Sequence, residues 1–213
     1  MKRTFFSLAL LLAVATLTAQ TKMTAREAAV KIADRILAST TYEFKNTKTG
    51  EIYKSVKKLP LDMDVKVACK YNNWHYTNGV TNMALMELGD KLGDKKYEKY
   101  VLKNMNFVFN EGNLDFFRKQ YDEAFKRDGW NAVRKLSWHM IFRGKRLDDN
   151  GPMGASLIEL QLKYPNDSFL GYINETAEHL NYGEPRLVDG TIARIWPHVN
   201  TIWADDAFMA ISF

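Results

Sequence analysis

Apolar side chains fall at Ala29, Ile32, Ala33, Ile36 and Leu37, three and four residues apart, and this spacing predicts a helix over 24–39. Thr24-Ala-Arg-Glu27 supplies its start as a capping box, in which the threonine oxygen and the glutamate each take one orphan amide. Residues 41–70 lose that period. Tyr42, Phe44, Ile52, Tyr53 and Val56 are interrupted by the turn cluster Asn46-Thr-Lys-Thr-Gly50 and followed by Pro60, which predicts an extended excursion with a short hairpin. From Gly79 the helical period returns through Val80, Met83, Ala84, Met86 and Leu88 to Gly93. Asp94 is suited to cap the next helix, whose apolar face is Tyr97, Tyr100, Val101, Met105 and Val108. Segments 113–126 and 130–142 also read as helical, the second through Val133, Leu136, Trp138, Met140 and Ile141. Pro152 is expected at the start of a further helix, where its missing amide does no harm. Helices at 168–181 and from 199 onward follow, and the remaining strand signal is confined to 186–196. The pattern is that of a mostly-α chain built from helical pairs.

The first twenty residues have a different character. Lys2 and Arg3 precede an apolar run over 5–17, and Thr18-Ala19-Gln20 offers small and polar residues for cleavage. The run is roughly 13 residues, short of the ~20 needed to cross a bilayer as a helix. Residues 1–20 are therefore expected to be a signal peptide cleaved near Ala19-Gln20, leaving 21–213 as an exported domain with no membrane span.

Composition narrows the function classes. Lys+Arg 30 against Asp+Glu 25 leaves a net charge of +5 over 213 residues with no basic block, too weak a footprint for a nucleic-acid partner. One cysteine, Cys69, excludes an intrachain disulfide and a thiolate zinc cluster. Aromatic residues make up 13% of the chain, and rings serve equally as core or as stacking faces for sugars, so composition leaves that choice open.

Candidate chemistry is sparse. There is no nucleophile elbow, phosphate loop or dinucleotide fingerprint, and His75, His139, His179 and His198 share no metal-ligand spacing, so no metal or cofactor is expected. Two paired-acid motifs remain. Asp148-Asp149 stands in Leu147-Asp-Asp-Asn-Gly-Pro-Met-Gly154, and Asp205-Asp206 in Thr201-Ile-Trp-Ala-Asp-Asp-Ala-Phe-Met209. Acids at a helix start have an ordinary use as caps that suit the dipole. Two such pairs among aromatic and small residues also fit acid/base work on a sugar, because a carboxyl beside a tryptophan in a partly apolar pocket holds its proton to higher pH.

These motifs carry a resemblance. Trp74-His-Tyr-Thr-Asn-Gly79, Met83-Ala-Leu-Met-Glu-Leu88 and Gly93-Asp-Lys-Lys-Tyr97 resemble the opening of an (α/α)6-barrel, the all-α six-hairpin toroid of sugar-processing enzymes. The Asp148-Asp149 motif, Asp189-Gly-Thr-Ile-Ala-Arg194 and the Trp203 motif are similar to those of the unsaturated rhamnogalacturonyl hydrolases, glycoside hydrolase family 105, with family 88 the close relative. The resemblance implies a hydrolase that removes a 4,5-unsaturated uronic acid from the non-reducing end of lyase-generated pectic oligosaccharides. Its chemistry is hydration: an aspartic acid protonates C4 of the enol ether, and water adds at C5. The resulting hemiketal opens and releases the remaining chain, without metal or cofactor. Carried over by motif, the resemblance implies Asp205 as general acid/base and Asp148 as the second pocket aspartate, so both are expected to be catalytic and to open on one cavity. It also implies Trp203 as ring platform, Arg194 as contact to the substrate carboxylate, and Asp149 as a further substrate-binding position where relatives often carry histidine.

A six-hairpin barrel takes a longer chain than this one, so the sequence is expected to represent about the first half of the barrel and to be inactive alone. Two alternatives stand beside this reading. One is an inactive helical half-barrel serving as a binding module, and the other is a family 88-like unsaturated glucuronyl hydrolase. The sequence leaves oligomeric state open.

Overall fold

A computed structural model describes residues 23–110, 112–143 and 146–211, and the chain divides into two units, Met1–Arg35 and Ile36–Phe213. The expected signal over 1–20 lies outside the described residues. In the first unit, helix α1 (Ala25–Ser39) starts on the capping box. Thr24 Oγ1 accepts from the Glu27 amide at 3.2 Å, and Glu27 Oε2 accepts from the Thr24 amide at 2.8 Å.

The second unit begins with a three-stranded antiparallel sheet in the order β2-β1-β3, formed by β1 (Phe44–Asn46), β2 (Ile52–Tyr53) and β3 (Val65–Val67). Asn46 makes the first turn, its Oδ1 accepting from the amides of Lys48 and Thr49, and Gly50 takes the left-handed backbone (φ 78°) that the turn requires. The extended stretch is thus a small sheet, larger than the single hairpin expected. It is fastened to the helices by Gln120, whose buried amide donates to the carbonyls of Asp62 and Val65.

The helices are α2 (Tyr76–Leu92), α3 (Lys96–Phe109), α4 (Asn113–Val133), α5 (His139–Arg143), α6 (Leu147–Lys163), α7 (Asp167–Glu178) and α8 (Asp206–Ile211). The fold is all-α with a small sheet, made of the helical hairpins of the six-hairpin toroid class, of which it forms a part. Helix α2 ends on Gly93 (φ 68°), whose freedom lets the chain reverse into α3. Helix α6 is buried along most of its length and packs against α2, α7 and α8. Gly79 allows α2 to cross close against α6, because a Cβ there would overlap the Pro152 carbonyl and the Met153 amide. Gly79→Ala gains helix propensity of about 1 kcal/mol. Forcing two backbones apart costs about 1–3 kcal/mol or more. We therefore expect a net loss of stability in a urea melt; an unchanged or higher midpoint would contradict the close approach.

Three expectations are corrected here. Residues 130–142 are not one helix: α4 kinks at Asp128 and Gly129 and ends at Val133, and Trp138 takes a positive φ of 65°. Trp138 donates its amide to Asn73 Oδ1 at 2.9 Å, a partner remote in sequence that replaces a helical acceptor. Pro152 lies in the second turn of α6, not the first, since the helix already starts at Leu147. The last helix is also shorter than the pattern suggested, and 186–201 instead form two isolated antiparallel bridges, Arg186↔Ile192 and Arg194↔Thr201.

The tryptophans divide between core and surface. Trp74 and Trp138 are buried in a ring cluster with Phe107, Phe109, Phe117 and Tyr172, whereas Trp130, Trp196 and Trp203 are exposed. Among the described residues, no helix is long and apolar enough to cross a membrane.

Candidate functional site

The first turn of α6 carries both acids of the first pair, and successive helical residues point about 100° apart. Their environments differ accordingly. Asp149 is fully buried and forked onto the guanidinium of Arg143 from α5. Burial pushes its carboxyl above the ordinary carboxylate range, with the Arg143 fork pulling against it. Its backbone carbonyl accepts from Trp74 Nε1 at 2.8 Å, which fixes the start of α6 on α2's leading segment. Asp148 is partly exposed and turns the other way, toward Arg194.

Arg194 is held by a loop closed on itself. Its amide donates to the Thr201 carbonyl at 2.8 Å, and its carbonyl accepts from the Asn200 amide at 2.9 Å. From there the guanidinium bridges two motifs far apart in sequence. Nη2 donates to Asp148 Oδ1 at 3.2 Å, and Nε donates to both oxygens of Asp206 at 2.7 and 2.9 Å. The same guanidinium lies 4.4 Å from the centre of the Trp203 ring. With two carboxylates beside it, the arginine is held charged, its pKa moved further upward.

Asp206 also accepts from the Trp203 amide at 2.8 Å, so it ties down the approach to α8 while it pairs. Burial pushes its carboxyl up, but the Arg194 guanidinium and the Trp203 amide together outweigh this and hold it below the usual value of 3.8. A carboxylate with a depressed folded pKa contributes stability that is present above the unfolded pKa and lost as pH falls through the folded one. The stability gap between wild type and Asp206→Asn is therefore expected to be widest above pH 4 and to close on further acidification. Thermal melts from pH 6 to pH 2 measure it, and a constant gap would contradict the pairing.

Asp205 and Trp203 are both exposed, and Asp205 contributes its carbonyl to the Met209 amide at 2.9 Å. The structure thus gathers Asp148, Arg194, Trp203 and Asp206 by direct contact, with Asp205 next to them in the chain, while Asp149 belongs to the Arg143 pair. A cavity of about 140 Å3 adjoins Arg194, lined also by Arg146, Leu147, Glu184, Ile195 and Trp196. Arg146 stacks over the Trp196 ring at 4.7 Å on one side of it. Sequence reasoning missed Arg143, Glu184 and His179. Glu184 is buried enough to be pushed above its ordinary range and meets His179 Nε2 at 3.0 Å across a π-helical turn (His179–Gly183). Gly183 makes that approach feasible, as a Cβ there would overlap the His179 ring.

Residues 56–213, well over half of the chain, match Glycosyl Hydrolase Family 88. The chain belongs to Glycosyl Hydrolase Family 88. The match spans every residue of the Arg194 cluster as well as the α2–α7 hairpins. A glycoside hydrolase acts on a carbohydrate substrate. No curated protein was found to match the chain. Among the described residues, no group of three or more His, Cys, Asp or Glu is arranged to hold a metal ion.

Proposed function

We propose that this family 88 protein is an unsaturated uronyl hydrolase of the rhamnogalacturonyl type, acting on the 4,5-unsaturated end of lyase-generated pectic oligosaccharides. The observation that carries the reading is the Arg194 guanidinium, which joins Asp148 to Asp206 and stacks on Trp203, bringing both paired-acid motifs to one place. In this reading Asp205 donates a proton to C4 of the enol ether while electron density leaves the ring-side double bond. Water then adds at C5, giving up a proton to the Asp205 carboxylate. The hemiketal opens with cleavage of the glycosidic bond, and the released hydroxyl carries the proton away, so Asp205 ends as it began. Trp203 stacks the unsaturated ring. Arg194 spends Nε and Nη2 on its two acids, and its Nη1 has no bond among the described residues, which leaves that nitrogen for the substrate carboxylate.

A closed toroid of six hairpins has twelve helices, and the described residues supply eight, the last only six residues long. We infer that turnover needs the remaining hairpins to complete the pocket, since positioning supplies much of such catalysis. The signal-like residues 1–20 support export of the protein from the cytoplasm.

The test is loss of ultraviolet absorbance as the conjugated double bond of unsaturated galacturonyl-rhamnose is consumed. It is run on the 213-residue chain and on a form extended to six hairpins. Turnover by the extended form is expected. Turnover only of unsaturated glucuronyl disaccharides would move the assignment to the glucuronyl type, and binding without turnover of either would leave a binding module.

A further inference from the structure

Away from the Arg194 cluster, the sheet and the α3–α4 corner enclose an open cavity of about 390 Å3. That volume lies within the range of small-ligand sites, about 300–1,000 Å3. One wall is aromatic. Tyr42 and Phe107 sit 5.5 Å apart, and Phe44 beneath them is buried against Phe116 and Phe117. Tyr42 is pinned at both ends of its polarity: its hydroxyl donates to Asn104 Oδ1 at 2.6 Å, and the Lys103 ammonium lies 4.2 Å from its ring centre. The rings of Tyr42, Phe44 and Phe107 give this wall its carbon surface.

The rest of the lining is mostly polar and cationic. Lys54 and Ser55 follow β2, and Lys57 lies in the short 3-10 turn (Val56–Lys58). Both lysines are exposed, and neither forms an ion pair among the described residues. Nearby Lys48 shows the contrast, since its ammonium reaches Asp64 at 2.6 Å. The rim is completed by two amides, Asn110 and Asn113. Asn113 donates its Nδ2 to the Phe107 carbonyl at 2.6 Å, which orients the amide and leaves its oxygen as an acceptor.

An apolar ring face, two ammonium groups without acidic partners, a hydroxyl and two amides, that of Asn113 held in place, are the groups that recognise a carboxylated sugar. The aromatic wall takes the C–H face of the pyranose, the amides and hydroxyl take its hydroxyls, and the lysines take the carboxylate. Neutral sugars would leave both ammonium groups unused, and a bare anion would leave the aromatic wall uncovered. We propose that this cavity is a second carbohydrate site, separate from the Asp148–Arg194–Asp206 cluster, that binds a uronate residue of an acidic oligosaccharide. It goes beyond the hydrolase reading and requires none of that chemistry.

The experiment uses saturated trigalacturonate, which has no enol ether and cannot be turned over, titrated into the full chain by calorimetry. Saturable binding is expected, weakened at least about tenfold by Lys54→Gln/Lys57→Gln and weakened by added salt. Since both lysines are exposed, the double variant should melt as wild type does. A neutral trisaccharide of galactose should bind at least about tenfold more weakly than trigalacturonate. The lysine-dependent part of trigalacturonate binding should persist in Trp203→Ala. No binding, equal binding of the neutral sugar, or wild-type affinity in the lysine variant would each overturn the proposal. Binding lost in Trp203→Ala but not in the lysine variant would also overturn it, by placing the ligand at the Arg194 cluster, and would leave the hydrolase reading standing. Absence of turnover by the form extended to six hairpins, with lysine-dependent binding intact, would strike the hydrolase reading alone.

Discussion

Asp205→Asn in the six-hairpin form is expected to lower turnover of an unsaturated uronyl oligosaccharide by about 10²–10⁴-fold, the usual loss when a general acid–base group is removed. The substitution keeps shape and removes the proton. Little else should change, because the side chain is exposed and the Asp205 contact to Met209 is made by the backbone carbonyl. Melting temperature and KM should therefore stay near wild type while kcat falls, the signature of an interaction made in the transition state. Asp206→Asn provides the contrast. That carboxylate is buried in the Arg194 pair, so its loss should show in stability as well as in rate. Near-wild-type kcat in Asp205→Asn would sink the assignment of the proton donor, and an effect on stability equal to that of Asp206→Asn would sink the distinction between the neighbours.

Arg194→Met is expected to destabilise the fold by about 3–5 kcal/mol, the cost of leaving a buried charge without its partner. Asp206 is only 3% exposed, and the arginine supplies three of its close polar contacts, two from Nε and one from Nη2. The variant also loses the stacking on Trp203. For a chain of this size the midpoint should fall by on the order of 10 °C. Pairing the change with Asp206→Leu should recover much of the loss, since replacing both members of a buried ion pair by apolar groups is often near neutral. A drop of less than about 1 kcal/mol in the single variant would show that the bridge is no more than a surface pair. Activity separates the two roles argued for this arginine: the double variant should fold yet fail to hold the substrate carboxylate, raising KM.

Local signals were readable wherever the structure they specify is itself local. The Thr24–Glu27 box forms between residues three apart, Gly93 ends α2 through its own backbone freedom, and Asn46 folds its turn onto the amides of Lys48 and Thr49. The helical period from Gly79 identified the all-α class, because amphipathic spacing is a property of one segment and one buried face. Where a distant partner intervened, the pattern misled. The apolar residues around Leu136, Trp138 and Ile141 satisfy helical spacing, yet the Trp138 amide is taken by Asn73 and the helix is not made.

The candidate site divides along the same line. Sequence alone determined that acids occur in two adjacent pairs, that the second follows a tryptophan, and that Arg194 precedes it by a short loop. Only tertiary structure decided which member of each pair is buried. Asp149 and Asp206 turn inward to Arg143 and Arg194, while Asp148 and Asp205 stay more exposed, a choice set by helix phase and by where α5 and the 194–201 loop deliver their guanidinium groups. Adjacent residues of the same type are indistinguishable in a one-dimensional pattern. They differ once a cation 6 or 12 positions away fills the space beside one of them, because a buried carboxylate persists only where such a partner offsets its lost hydration.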